Sequence, residues 1–118
     1  MTNSIKIAVD AMGGDGSPKK VIDGIIHHFK KNDNTFYQIF GDENKIKNHL
    51  NESLPKDSFE ITHTENTVKG TDSPLEAAKR GKKTSMWLAI QSVKEKKSDV
   101  VISAGNTGAL LVISKLNL

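Results

Sequence analysis

Residues 99–110, Asp-Val-Val-Ile-Ser-Ala-Gly-Asn-Thr-Gly-Ala-Leu, constrain this chain more than any other stretch. An apolar run from Val100 to Ile102 meets a turn bounded by Gly105 and Gly108, and a second apolar run follows at once. That order reads as a buried strand passing directly into a helix. Such a turn aims free backbone N–H groups and the positive end of a helix dipole at one spot, a ready place for an anion.

The rest of the chain repeats the same alternation. A first strand, Ile5 to Asp10, ends at Gly13-Gly14. Ser17 as N-cap, Pro18 in the first helical position, and Val21, Ile22, Ile25, Ile26 and Phe29 at spacings of three and four predict an amphipathic helix over 18–31. Residues 35–40 form a second strand, 43–52 a weaker helix and 59–63 a third strand. Residues 64–72 lack periodicity and read as an extended loop. Ser73-Pro74-Leu75-Glu76 is a capping box with proline at the first helical position. Gly81 interrupts that helix, and Thr84 or Ser85 recaps a second one with Met86, Ala89, Ile90 and Val93 on one face. A fourth strand follows over 99–103.

Strands alternating with helices at this spacing indicate an α/β fold with a mainly parallel sheet and helical crossovers. Ligands of such sheets collect at the carboxyl ends of the strands. The turns at 13–14 and 105–108 each follow a strand, so both face one crevice if those strands are neighbours. The final run, Ala109 to Leu118, has little polar face, the pattern of a buried helix, and no glycine closes it. A four-strand sheet ending there exposes an apolar patch, so residues 1–118 are expected to be the N-terminal portion of a single larger α/β domain, truncated at Leu118.

Seventeen basic against fourteen acidic residues leave +3, too small a surplus to imply nucleic acid. The densest patch is Lys79, Arg80, Lys82 and Lys83, either a solvated helix surface or a docking patch for an acidic partner or a phosphate-bearing ligand. No apolar run approaches the ~20 residues of a bilayer span, and no signal-peptide pattern opens the chain. Without cysteine, this segment supplies neither a thiol nucleophile nor a thiolate metal ligand.

Standard nucleotide motifs are absent. The glycines of Asp10-Ala11-Met12-Gly13-Gly14-Asp15-Gly16 lack the dinucleotide spacing, and Gly81-Lys82-Lys83-Thr84 lacks the upstream glycine of a phosphate-binding P-loop. Gly13-Gly14 is either a ligand-approach turn or a plain strand-to-helix turn. Asp10 and Asp15 bracket it, able to orient a base or a metal, or to hold loop amides. Ala104 to Gly108 is either an ordinary helix start capped by Asn106 or Thr107, or an anion cradle to which those side chains add donors. His63, at the end of the third strand, is a candidate general base or a structural histidine. His27 and His28 are adjacent and point different ways, His49 lies in a polar helix, and no metal is assigned.

Together these segments resemble one family. Val9 to Asp15 with Pro18 is similar to the N-terminal signature of the phosphate acyltransferases of bacterial phospholipid synthesis. Asp72-Ser73-Pro74, Ala78, Arg80, Lys83 and Ser85-Met86 are similar to that family's middle segment, and Ser103 to Leu110 resembles its best-known motif. This chain departs from the family at Gly16-Ser17, where a bulkier residue is common, and at Lys69-Gly70-Thr71, where a methionine usually precedes the acidic residue.

The resemblance implies a Rossmann-like three-layer sandwich. It also implies a homodimeric enzyme, cytoplasmic or peripheral to the inner membrane, that transfers a fatty acyl group from acyl carrier protein to inorganic phosphate without a cofactor. The acyl phosphate would pass to a membrane glycerol-phosphate acyltransferase. On this reading Gly13, Gly14, Ser103, Gly105, Asn106, Thr107 and Gly108 bind phosphate; Arg80, Lys82 and Lys83 meet phosphate or the acidic carrier; and Asp15 or His63 handles a proton. The competing expectations are a related phosphate acetyltransferase or decarboxylating dehydrogenase fold, and an inactive fragment or carrier-binding remnant.

Overall fold

The computed structural model describes residues 4–118. The elements run β1 (Ile5–Asp10), α1 (Lys19–Lys31), β2 (Thr35–Gly41), α2 (Glu43–Leu50), a 3₁₀ turn at Lys56–Ser58, β3 (Phe59–His63), α3 (Pro74–Lys79), α4 (Ser85–Lys94), β4 (Val100–Ser103) and α5 (Thr107–Asn117). The four strands make one wholly parallel sheet in the order β3-β2-β1-β4.

β1 is buried from Ile7 onward because helices cover both sides of it. Ile7 and Val9 pack with Ile22 and Ile25 of α1 and with Ile39 and Ile46, forming one apolar layer. Ala8 faces the other way, against Phe40 and Ala89 of α4. On that second side Met86, Trp87 and Ile90 meet Ala109 and Ile113 of α5. The result is the expected three-layer α/β arrangement.

The chain steps from β1 to β2 to β3 in one direction, and α3 and α4 then carry it back to the opposite edge of β1. The register sets Asp10 beside Phe40 on one side and beside Ser103 on the other. The direction of winding therefore reverses between β1 and β4, and their carboxyl ends lie side by side. Open α/β sheets bind ligands at such a reversal.

Local signals explain most element starts. Asp42 caps α2 by accepting the Asn44 and Lys45 N–H groups at 3.1 and 3.2 Å. Ser73 and Glu76 form the reciprocal capping box of α3, both bonds at 3.1 Å. Thr84 caps α4 through the Trp87 N–H.

Two expectations change. Pro18 occupies the N-cap of α1, while the Ser17 hydroxyl donates back to the Gly13 carbonyl and so braces the turn instead of the helix. α5 buries only Ala109 and Ile113 fully; Leu111, Leu116 and Leu118 are exposed, since β4 is an edge strand and nothing among the described residues covers that flank. No helix among the described residues is long and apolar enough to cross a membrane.

Candidate functional site

The Asp10 carboxylate organises the crevice. It is 2% exposed and three donors converge on it: the Ser85 hydroxyl at 2.6 Å, the Met12 N–H at 3.1 Å and the Ser103 hydroxyl at 2.9 Å. A carboxylate is acceptor-only, so it satisfies all three at once, which an amide could not. Because Ser103 gives its proton to Asp10, its oxygen is free to accept the Gly105 N–H at 3.2 Å. One buried group thus ties β1, the start of α4 and the turn after β4 together.

The two glycine turns touch each other. A Cβ on Gly13 would lie 2.8 Å from Asp10 Oδ2 and 2.9 Å from both Gly105 N and Ser103 Oγ. One on Gly14, which has φ +88°, would lie 2.7 Å from the Ala104 carbonyl oxygen. Glycine is required here for backbone contact between turns as well as for turn conformation.

Asn106 is held on all sides. Its Oδ1 accepts the Ala109 N–H at 3.1 Å and so caps α5. Its Nδ2 donates to the carbonyls of Asp72 at 2.5 Å and Lys69 at 3.2 Å. The loop that supplies those carbonyls is locked in turn. Asp72 takes the Lys69 N–H at 2.9 Å and a two-pronged contact from Arg80, with Nη2 at 2.7 Å and Nε also donating. The Arg80 hydrogen bonds hold the Asp72 carboxyl down at about 2.

These bonds sort the sequence candidates into two groups. The Ser103 hydroxyl, the Gly105 N–H and the Asn106 side-chain amide are committed to shaping the turn, and Nε and Nη2 of Arg80 are turned to Asp72. Thr107 and Gly108, the first residues of α5, have backbone N–H groups without an acceptor among the described residues, at the positive end of the helix.

The Thr107 side chain is exposed beside these amides. They open on a cavity of about 670 Å³ walled by Gly14, Asp15, Thr67, Lys69, Ala104 and the 105–108 turn. Asp15 stands exposed at its rim. Lys82 and Lys83 are exposed in the α3–α4 link and do not line it.

His63 is not brought to this place. It ends β3, on the far side of β2 from the crevice, and its Nδ1 accepts the Glu43 N–H at 3.0 Å at the start of α2. Conversely, the roles of Ser85 and Lys69 are not visible in the spacing. By its spacing Ser85 reads as a possible helix cap, and Lys69 lies in the aperiodic loop.

Across residues 5–118 the sequence matches the family described as fatty acid synthesis protein. The chain belongs to that family. It is 79% identical over its whole length to the phosphate acyltransferase of Pelagibacter ubique (strain HTCC1062), of which it covers 35%. The phosphate acyltransferase of Streptococcus thermophilus (strain CNRZ 1066) is 46% identical over 89% of the chain, and that of Streptococcus pyogenes serotype M1 is 44% identical over 92%. The chain covers 30% and 31% of these two, so it spans about a third of the length of the relatives it matches. The segments that bear the resemblance, residues 9–18, 72–86 and 103–110, are the ones that meet around Asp10 and Asn106.

Proposed function

We propose that this chain forms the phosphate-binding portion of an acyltransferase that moves a fatty acyl group from acyl carrier protein to inorganic phosphate, giving acyl phosphate for phospholipid synthesis. The observation that carries the reading is the pair of open N–H groups of Thr107 and Gly108, aimed from the start of α5 into the polar cavity. Two further features support it. Lys69 adds a cation to the wall, and the relatives bear the name phosphate acyltransferase.

The chemistry needs no enzyme nucleophile. A phosphate oxygen attacks the thioester carbonyl, the tetrahedral oxyanion collapses, and the carrier leaves as its thiolate. The protein's work is to hold two anionic reactants together and to stabilise the oxyanion with fixed donors. In this reading Asp15, which lines the rim of the cavity, handles a phosphate proton. Lys82 and Lys83, exposed on the α3–α4 link, suit an acidic carrier. In the same proposal the enzyme is a homodimer at the cytoplasmic side of the inner membrane and hands its product to a membrane glycerol-phosphate acyltransferase.

The test is thiol release from acylated carrier protein, read with a thiol reagent; the chain has no cysteine of its own to obscure it. The expected result is release that requires inorganic phosphate. Release indifferent to phosphate, or turnover seen only with acetyl-coenzyme A or only with a nicotinamide cofactor and a divalent metal, would overturn the reading.

A further inference from the structure

A second cavity adjoins the first. It measures about 390 Å³ and shares Gly14, Asp15 and Ala104 with the polar one. Its walls are of opposite character. Ile7 and Val9 of β1 and Ile102 of β4 form one side, and Val21 and Ile25 of α1 form the other.

The groove runs along α1 from Lys20 to His28, about 12 Å at 1.5 Å per residue. At the far end His28 and Tyr37 close it, with Nδ1 and the phenol oxygen 2.7 Å apart. At the near end stands the Lys20 cation, close to the shared rim.

Gly24 supplies a separate observation. It lies inside α1 on the groove, and a Cβ built there would meet nothing within 4 Å. Glycine is the poorest helix former after proline, and neither a positive φ nor a neighbour among the described residues calls for it at this position. It keeps the groove open where a side chain would fill it.

We infer that this groove takes the alkyl tail of the acyl group, with the reacting carbonyl at the rim that the two cavities share. The inference rests on the acyl-transfer reading above. An acyl donor and phosphate present one apolar chain and one anion that must meet at a single carbon. The fold offers one apolar compartment and one polar compartment meeting at Gly14 and Ala104. With a water-sized group occupying about 30 Å³, and a methylene being of similar size, the groove has room for about a dozen carbons. Lys20 and the α5 N-terminus put positive charge on the side where the anion sits.

Butyl, octyl and dodecyl phosphate, each below its micelle-forming concentration, serve as unreactive probes in titration calorimetry, with inorganic phosphate run alongside. Affinity is expected to rise with chain length by up to about fourfold per methylene. Gly24→Leu fills the groove and, by its helix propensity, leaves the thermal midpoint no lower than wild type. It should weaken dodecyl phosphate at least tenfold and leave inorganic phosphate unchanged, while Gly24→Ala keeps most of the affinity.

Equal affinity for butyl and dodecyl phosphate would overturn the inference, as would undiminished dodecyl binding in Gly24→Leu. So would a self-association that Gly24→Leu abolishes and dodecyl phosphate does not displace. Length-dependent binding without any binding of inorganic phosphate would support the groove and count against the phosphate site.

Discussion

On the β2–β3 side of β1, Ile22, Ile39 and Ile46 are fully buried, whereas on the β4 side Ile102 is 54% and Leu111 is 71% exposed. The residue types are the same; the position relative to the winding reversal differs. β2 has strand partners on both edges and helical layers over both faces. Among the described residues β4 has a partner on one edge only, and Val100 and Ile102 face the open side. An apolar residue is a core residue only if the topology brings something to cover it. The crevice lies on the border of these two regions, which is why one wall of it is rigid packing and the next is accessible surface.

Substitutions on either side should break or sharpen that contrast. Ile39→Ala, in the closed region, should cost about 2–5 kcal/mol in urea unfolding, as buried Ile-to-Ala changes do. Gly13→Ala, on the border, should cost about 1–3 kcal/mol, because its Cβ meets backbone and fixed side-chain atoms that cannot yield.

The Asp72–Arg80 pair pins the loop beneath Asn106, and its effect depends on pH. The carboxyl ordinarily titrates at 3.8 and is held at about 2 in the fold, so the fold favours its charged form. The pair's stabilisation is complete above the ordinary value and is lost as pH falls from 3.8 toward about 2. Asp72→Asn should therefore be less stable than wild type at neutral pH, with the difference narrowing in that acid window. The smallest effect belongs to Leu111→Ala, within about 0.5 kcal/mol of wild type. A loss comparable to that of Ile39→Ala would mean that Leu111 is covered in solution.

Much of the fold is legible in the chain because its signals are local. Phe59–His63 emerges as a strand with the expected ends, and the Ser73–Glu76 box starts α3 where its side chains say it should. The parallel sheet follows from the alternation of strand and helix. The site was legible as two glycine turns but not as a structure.

What joins those turns spans 75 residues between Asp10 and Ser85 and 93 between Asp10 and Ser103, and no spacing rule reaches that far. The same holds for individual roles. Asn106 and Arg80 read as ligand groups because amides and guanidinium groups often are; only the fold reveals the carbonyls and the carboxylate that occupy them. His63 ends a strand as expected, but strand order places it on the wrong side of β2.

The most direct test of the crevice is a titration of the ¹⁵N-labelled chain with inorganic phosphate, followed amide by amide. Saturable shifts centred on Thr107 and Gly108, reaching Gly14 and Lys69 and sparing His63, are the expected result. Shifts confined to Lys82 and Lys83, or none that saturate, would contradict a phosphate site at the carboxyl ends of β1 and β4.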